Sequence, residues 1–326
     1  MMLAVTGATG FLGQHVVRLA QARGFRVRAL VRPCRRIPET WSAAPAVEVV
    51  TACGDHRDAV KLLAGADILI HLAGGGVHVD DRALDDLVRI NVSGSLFWLD
   101  GARRHGVSRI VAIGSSAEYQ GYGWLPDHPW PTAQVAPPIS ESHTLAPTDF
   151  YAASKAAGGT MLCAVAREYA MDLWYLRLCR LYGPGDHAYR LLPSALNALL
   201  ANRPFASTLG HQVREWLAVE DAARAILAAC AAPAKERPTI LNVGTGVGIQ
   251  QAALLRTLAE FAERDVALLR FGTLPHRPHE WHHLVMDATL TKNVLGWQPT
   301  VPLETGLKQY VQQVMVSQGR DSSLAG

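Results

Sequence analysis

Runs of apolar residues recur along the first half of the chain and are separated by amphipathic stretches. The runs predict buried strands at Met2–Thr6, Phe25–Val31, Val47–Val50, Ile68–Leu72 and Arg109–Ile113. Between the first two, Val16, Val17 and Ala20 follow a helical repeat and predict a helix from Gly10 to about Arg23. Strands that alternate with helices in this way are typical of an α/β fold with a parallel, doubly wound sheet.

The second half of the chain has a different pattern. Six prolines between residues 121 and 150 exclude a continuous helix or a central strand, at Pro126, Pro129, Pro131, Pro137, Pro138 and Pro147. Periodicity then predicts further helices and one strand, at Tyr151–Tyr169, Leu173–Leu178, Leu192–Ala201, Ala222–Ala231 and Gln251–Ala262. We expect residues 1–175 to carry the main sheet and residues 176–326 to form a smaller α/β domain, some of whose segments return to that sheet.

Composition narrows the class of protein. The chain has 326 residues, of which 49% are hydrophobic and 18% charged, and this is ordinary for a folded enzyme. A net charge of +3 with scattered basic residues does not favour nucleic-acid binding. Five cysteines at irregular spacing predict reduced thiols. With no apolar run long enough to span a bilayer and no secretion signal, we expect a cytoplasmic protein that does not enter membranes.

A glycine-rich turn lies between the first predicted strand and the first predicted helix. Gly7 and Gly10 allow the backbone to turn tightly and approach a pyrophosphate, and Gly13 allows close packing of helix against sheet. The helix amino end attracts the negative charge of such a ligand. The turn therefore predicts a Rossmann-type dinucleotide site that also includes Thr9, Phe11 and Leu12.

The end of the second strand indicates which dinucleotide binds. An NAD site usually has an acidic residue there to bond the ribose 2′-hydroxyl. This chain has Arg32 instead, with Arg35 and Arg36 close behind, and planar cationic donors suit a 2′-phosphate. We expect NADP as the cofactor in preference to NAD.

Tyr151 and Lys155 are four residues apart on a predicted helix, so their side chains share one face. An adjacent ammonium stabilises a phenolate and brings the pKa of a tyrosine toward neutrality, which would make Tyr151 an acid–base group. The strand that ends before Ser115, Ser116 and Glu118 delivers hydroxyls to the carboxyl edge of the sheet, where ligands bind.

With these motifs the sequence resembles the extended short-chain dehydrogenases/reductases, in the group of NAD(P)-dependent epimerases and dehydratases that act on nucleotide sugars. The resemblance covers nearly the whole chain. It rests on Thr6–Gly13, Gly54-Asp55, His71-Leu72-Ala73, Asn91, Ser115-Ser116, Tyr151/Lys155, Tyr182–Gly185 and Leu295–Pro299.

The resemblance implies roles for matching residues. Ser116 would bond the reacting oxygen, Tyr151 would transfer the proton, and Lys155 would anchor the cofactor ribose. Other cofactor contacts are implied at Asp55, His56, Leu72, Ala73 and Gly74. Asn91 is similar to a residue that supports the catalytic lysine. The resemblance also implies a homodimer in which helices near residues 84–105 and 151–169 pair.

The substrates of that family are nucleoside-diphosphate sugars, whose pyrophosphate needs cationic donors. Arg214 and the pair Arg277 and Glu280 are similar to family substrate residues, and Ser115 would join them. Arg180 stands where many members have asparagine. His276, His279, His282 and His283 cluster in sequence, but Pro275 and Pro278 preclude the helix that would align them, so we expect no metal site.

Three functions remain open. The first is reduction of a nucleoside-diphosphate 4-keto-6-deoxysugar by NADPH, for which Tyr151 suffices as the proton donor. The second is a redox-neutral 4,6-dehydratase or epimerase, in which Glu118 matches the dehydratase glutamate two residues after Ser116 while Ala117 replaces a usual acid. The third is a protein that senses NADP without catalysis. The intact Tyr151 and Lys155 pair favours an enzyme.

Overall fold

A computed structural model describes residues 1–33, 35–42, 46–51, 56–76, 83–125 and 136–323. Its strands are β1 (Met2–Thr6), β2 (Arg26–Val31), β3 (Val47–Thr51), β4 (Ile68–His71), β5 (Arg109–Ser115), β6 (Tyr122–Leu125), β7 (Asp172–Leu178), β8 (Arg180–Tyr182), β9 (Phe205–Ala206), β10 (Val213–Arg214), β11 (Trp216–Ala218), β12 (Thr239–Val243), β13 (Ile249–Gln250), β14 (Leu269–Arg270) and β15 (Glu280–Leu284).

The helices are α1 (Phe11–Ala22), α2 (Glu39–Ser42), α3 (His56–Leu63), α4 (Leu84–Leu87), α5 (Gly94–Arg104), α6 (Phe150–Glu168), α7 (Leu191–Leu200), α8 (Val219–Ala231), α9 (Gln251–Phe261), α10 (Thr289–Leu295) and α11 (Leu303–Ser323). A π-helix at Val88–Ser93 joins α4 to α5, and a 3-10 turn at Ser116–Glu118 follows β5. None of the helices in the described ranges combines the length and apolar composition that crossing a bilayer requires.

Seven strands form one parallel sheet in the order β12-β7-β5-β4-β1-β2-β3. The order reverses between β1 and β4, so the crevice where ligands bind in such sheets lies beyond the carboxyl ends of these two strands. Both faces of the sheet are covered by helices, and its central strands are mostly apolar and almost fully buried, as expected for strands covered on both sides. The predicted parallel α/β fold is confirmed.

The carboxy-terminal part builds a second layer and also returns to the main sheet. Strand β12 pairs with β7, with Thr239 opposite Trp174. The proposed domain boundary at residue 176 falls inside β7, which continues to Leu178. A smaller sheet has the order β13-β10-β15-β6, and helices α7, α9 and α11 share a separate core around Leu196, Leu255 and Leu307.

The proline-rich stretch contributes one strand to the smaller sheet. Strand β6 pairs antiparallel with β15, with Tyr122 opposite His283. This strand was not predicted, because its four residues show no strong alternation of apolar and polar positions. They were also grouped with the proline-rich stretch, although the prolines begin only at Pro126. It brings the chain after the catalytic strand into contact with the substrate half.

A buried ion pair ties the sheet to α8. Arg109 donates from Nε to Asp172 Oδ2 at 2.7 Å, and its Nη1 donates to the carbonyl oxygens of Ala229 and Cys230 in the last turn of α8. Helix carbonyls in the last turn lack partners within the helix, so this arginine satisfies them while it neutralises a buried carboxylate.

We predict that Asp172→Asn lowers the free energy of unfolding by about 3 kcal/mol, because Arg109 would stay buried without a counter-charge. The matched change at Asp100, whose partners Arg103 and Arg104 are exposed, should cost less than about 1 kcal/mol. Urea unfolding of both variants checks this. Equal losses in the two proteins would contradict it.

Candidate active site

The glycine turn after β1 has the close contacts that a pyrophosphate site needs. Gly7 has a φ of +69°, and a Cβ there would lie 2.7 Å from the amide nitrogen of Ala73. A Cβ on Gly13 would lie 2.2 Å from the carbonyl oxygen of Gly7. Gly10 begins α1, whose amino end carries no side-chain cap and no acidic residue in its first turn. The backbone amides of this turn can therefore hold an anion.

The residues predicted for the rest of the cofactor surround the same turn. Leu72, Ala73 and Gly74 follow β4, and the amide of Leu72 donates to Thr6 at 3.2 Å. Arg32 and Arg35 are exposed beyond β2, and Arg36 pairs with Glu39. Asp55 lies outside the described residues, and so does the side chain of His56 at the start of α3.

Sequence reasoning missed the polar support beneath this crevice. His71 Nδ1 lies 2.8 Å from Thr6 Oγ1, and Nε2 lies 3.0 Å from Ser95 Oγ. Ser95 donates its own proton to the carbonyl of Asn91, so the ring donates from Nε2 and accepts at Nδ1. Burial and the charge of Lys155 lower the pKa of His71 to about 3. The histidine is a neutral structural link between β4 and α5.

Asn91 connects the cofactor loop to the helix of the tyrosine–lysine pair. Its Oδ1 accepts from the amide of Gly75 at 2.8 Å, and its Nδ2 donates to Ser154 Oγ at 2.9 Å. Ser154 in turn donates to the carbonyl of Tyr151. A Cβ on Gly158 would lie 2.3 Å from the Asn91 carbonyl, so α6 packs directly on the π-helix. Asn91 thus acts on α6 through Ser154.

Tyr151 and Lys155 lie on one face of α6, toward the end of β5. Lys155 Nζ donates to the carbonyl of Ile113 at 2.6 Å, and burial lowers its pKa. Burial raises the pKa of Tyr151, while a hydrogen bond with the Ser115 side chain and the charge of Arg190 lower it. Lys155, bonded to Ile113, and Tyr151, bonded to Ser115, therefore both lie at the carboxyl edge of β5, where a sugar hydroxyl could be deprotonated.

The Ser115 side chain forms a hydrogen bond with Tyr151. Strand β5 runs two residues further than predicted and ends at Ser115, which caps the 3-10 turn that begins at Ser116. The role predicted for Ser116, which is to bond the reacting oxygen, stays a prediction.

Glu118 does not reach the open site. Its side chain is 0% exposed, and its oxygens accept from the Ser115 amide at 2.7 Å, from Tyr175 at 2.8 Å and from Arg177 Nε at 2.8 Å. The predicted role as a base on the sugar disagrees with this burial.

The predicted substrate arginines gather around one carboxylate. Arg214 is buried, pairs with Glu280 at 3.5 Å and donates to the carbonyls of Trp281 and His282. Burial lowers the pKa of Arg214 to about 9. Arg180 is close enough to Glu280 and Arg277 for their charges to change its pKa, which burial lowers. This cluster forms an electropositive wall.

Two further features came only from the structure. Arg190 precedes α7 and lies 3.7 Å from Asp186, and its charge acts on both Tyr151 and Arg180. A cavity of about 590 Å³ opens beside the start of α6, and it is lined by Gln120, Gly121, Tyr122, Gly123, Ala146, Pro147, Thr148, His279 and Trp281. No local pattern in the sequence predicts these two features, because their residues come from four segments that are far apart along the chain.

Within the described ranges, no three histidine, cysteine or acidic side chains are grouped to hold a metal ion.

This site and fold are those of a nucleotide-dependent short-chain oxidoreductase. The NAD dependent epimerase/dehydratase family matches residues 3–244, and the chain belongs to that family. A dTDP-glucose 4,6-dehydratase of Streptomyces griseus is 30% identical over 94% of this chain and 91% of its own length. A ceramide reductase of Caulobacter vibrioides is 32% identical over 71% of this chain and 62% of its own length.

Solved structures agree with the fold. The dTDP-glucose 4,6-dehydratase of Streptomyces venezuelae, solved with NAD bound, superposes with a TM-score of 0.86 at 26% identity, over 98% of each chain. A UDP-glucose 4-epimerase of Thermotoga maritima, solved with UDP-glucose, has a TM-score of 0.85 at 24% identity and covers 98% of this chain and 100% of its own. The second likeness is one of fold alone.

We predict that stability falls as the pH decreases from 6.5 towards 3, in part because unfolded His71 takes up a proton that the folded ring refuses. His71→Gln should remove about 1.4 kcal/mol per pH unit of this slope. Urea unfolding at several pH values measures it. The matched change at exposed His187 should keep the slope, and parallel curves for wild type and His71→Gln would refute the prediction.

Proposed function

We propose that the chain catalyses a redox-neutral conversion of a nucleoside-diphosphate hexose that begins with oxidation of a sugar carbinol. The observation that carries the proposal is the placement of Ser115, Tyr151 and Lys155 at the carboxyl edge of the sheet, beside the glycine turn. The relatives named as dehydratases support this class of reaction. The arginine wall around Glu280 supports a diphosphate-linked substrate.

The residues divide the work as follows. A nicotinamide cofactor, when bound, supplies the acceptor of the hydride and later its donor. The glycine turn and the amino end of α1 would hold its pyrophosphate, and Lys155 would anchor its ribose. Tyr151 would take the proton of the sugar hydroxyl while the hydride leaves the same carbon. Ser116 would bond that oxygen, and the hydrogen bond of Ser115 orients the phenol.

The reaction that follows oxidation depends on whether a carboxylate can reach the substrate. Loss of water from C5 and C6 requires a base and an acid in the open site, and Glu118 is enclosed while Ala117 has no ionisable group. Return of the hydride to the opposite face of the carbonyl requires neither. The site therefore supports epimerisation better than dehydration, although relatives at 30% and 28% identity are named as dehydratases.

A second candidate is net reduction of a 4-keto sugar by NADPH. Tyr151 alone supplies the proton this reaction needs. Arg32 and Arg35 are exposed beyond β2 with no acidic residue between Val31 and Pro38, which suits a 2′-phosphate. The relative named as a ceramide reductase indicates that net reduction occurs among similar chains. The solved dehydratase holds NAD, and this favours the first candidate.

Product analysis separates these candidates. Purified protein is incubated with UDP-, dTDP- and GDP-hexoses, and the products are examined by mass spectrometry and chromatography. We expect an isomer of unchanged mass. A product that has lost one water would overturn epimerisation, and NADPH consumption on a nucleotide 4-keto sugar alone would establish the reductase.

The matched variant for that experiment is Tyr151→Phe. It keeps the ring and removes the acid–base group, so turnover should fall at least about 100-fold. Cofactor affinity should remain within a factor of about two, because Lys155 and the glycine turn are unchanged. Turnover close to that of wild type would exclude Tyr151 as the proton carrier.

Arg32→Glu tests the nature of the cofactor. If Arg32 contacts a 2′-phosphate, the variant should bind NADPH about 10- to 100-fold more weakly and leave NADH binding unchanged or improved. Titration by nicotinamide fluorescence measures both affinities, with Arg264→Glu as a control for the change in charge. Equal effects on NADPH and NADH would assign Arg32 to the surface and favour NAD.

A further inference from the structure

A set of polar side chains with almost no exposed surface lies next to Ser115 at the end of β5. It consists of Glu118, Tyr119, Tyr175, Arg177 and Asn242. A buried carboxylate and guanidinium are unfavourable unless each is closely paired and hydrogen-bonded. A chain that only needed a packed core could place apolar residues here, so the contacts of this set call for a function.

The first contact reaches the catalytic strand. Glu118 Oε1 accepts from the backbone amide of Ser115 at 2.7 Å, at the residue whose side chain bonds Tyr151. The same oxygen accepts from Tyr175 at 2.8 Å. The Tyr175 hydroxyl also lies 3.2 Å from the carbonyl oxygen of Lys155 on α6. One buried carboxylate is thus linked to both halves of the catalytic set.

Tyr175 is tightly packed between α6 and β5, the two elements that it links to Glu118. A Cβ on Gly159 of α6 would lie 2.4 Å from the Tyr175 hydroxyl oxygen. A Cβ on Gly114 of β5 would lie 2.7 Å from Glu118 Oε1 and 2.6 Å from the Tyr175 ring. Helix α6 and strand β5 therefore approach each other only because glycine stands on each side of the tyrosine.

The other carboxylate oxygen leads away from the site. Glu118 Oε2 accepts from Arg177 Nε, and Arg177 also donates to Tyr119 at 2.8 Å. Tyr119 donates to Asn242 at 2.8 Å, and Asn242 donates to the carbonyls of Ile139 and Asp287. The network is closed on this side by strands β7 and β12, which fix it to the main sheet.

From this geometry we infer that Glu118 is a positioning residue, which through Tyr175 holds Ser115 at the end of β5 in register with Tyr151 and Lys155 on α6. It takes no proton from the substrate. This role rests on the proposed function for its effect on turnover, but the hold itself exists without substrate.

Glu118 also acts through its charge. It raises the pKa of Lys155 against the larger effect of burial, which lowers that pKa. It also raises the pKa of Tyr151, together with Asp149, while Arg190 and Ser115 lower it. Arg177 forms an ion pair with the other oxygen of Glu118, and its positive charge partly cancels the electric field of the carboxylate at the catalytic residues.

Tyr175→Phe tests the link with little risk to folding, because it removes one hydroxyl and leaves the ion pair intact. We expect kcat to fall about tenfold, since a small misplacement of reacting groups is costly, while KM and cofactor affinity stay within a factor of about two. Tyr310→Phe, a buried tyrosine of α11 outside the network, is the control. A kcat equal to that of the control would overturn the inference.

The double variant Glu118→Leu, Arg177→Met distinguishes positioning from direct proton transfer. Both buried charges are removed together, so neither stays unpaired. In a single turnover, we expect hydride transfer itself to slow by about tenfold or more. Normal hydride transfer with loss of a later proton-transfer step would assign Glu118 to the substrate and overturn the inference.

Amide hydrogen exchange measures the hold without any substrate. In the double variant the amide of Ser115 and those of the first turns of α6 should exchange faster than in wild type, since both lose their shared anchor. Unchanged exchange would overturn the inference. If wild type turns over no nucleotide sugar, the proposed function fails, and exchange still decides whether Glu118 holds the two elements together.

Discussion

The catalytic end of this molecule depends on a carboxylate that has been removed from water. Glu118 follows the central strand β5, and its burial is tolerated because Arg177, Tyr175 and the amide of Ser115 occupy its oxygens. Satisfying that charge requires a guanidinium on the neighbouring strand β7 and glycine at position 159, so that α6 can come close. The serine, tyrosine and lysine take their relative places from these constraints.

Two polar networks hold α6 from different sides. On one side, Asn91 joins the cofactor loop to Ser154, and His71 supports that loop from below as a neutral ring. On the other, Tyr175 joins the helix to Glu118 and the main sheet. Tyr151 and Lys155 lie between the Asn91 network, which belongs to the cofactor crevice, and the Tyr175 network, which belongs to the core. This arrangement suits a helix that must contact both cofactor and substrate.

The enclosure of Glu118 also limits the chemistry. Glu118 is enclosed, so the proposed proton transfer rests on one phenol, whose pKa Ser115 and Arg190 lower against the effect of burial. A single acid–base group serves hydride transfer to or from a carbinol carbon and does not serve elimination of water. The family relationship defines the class of reaction, and the position of one buried residue separates reactions within that class.

The sequence by itself determined the parallel sheet, the glycine turn and the shared face of Tyr151 and Lys155, because each rests on a local period or a short spacing. Only the tertiary structure decided that the Ser115 side chain bonds Tyr151, since β5 runs two residues further than its apolar pattern indicates and carries this serine to its end. It also decided that Glu118 is a buried partner of Arg177. Those residues are 59 positions apart, and no local pattern encodes a pairing between strands that depends on how the whole sheet assembles.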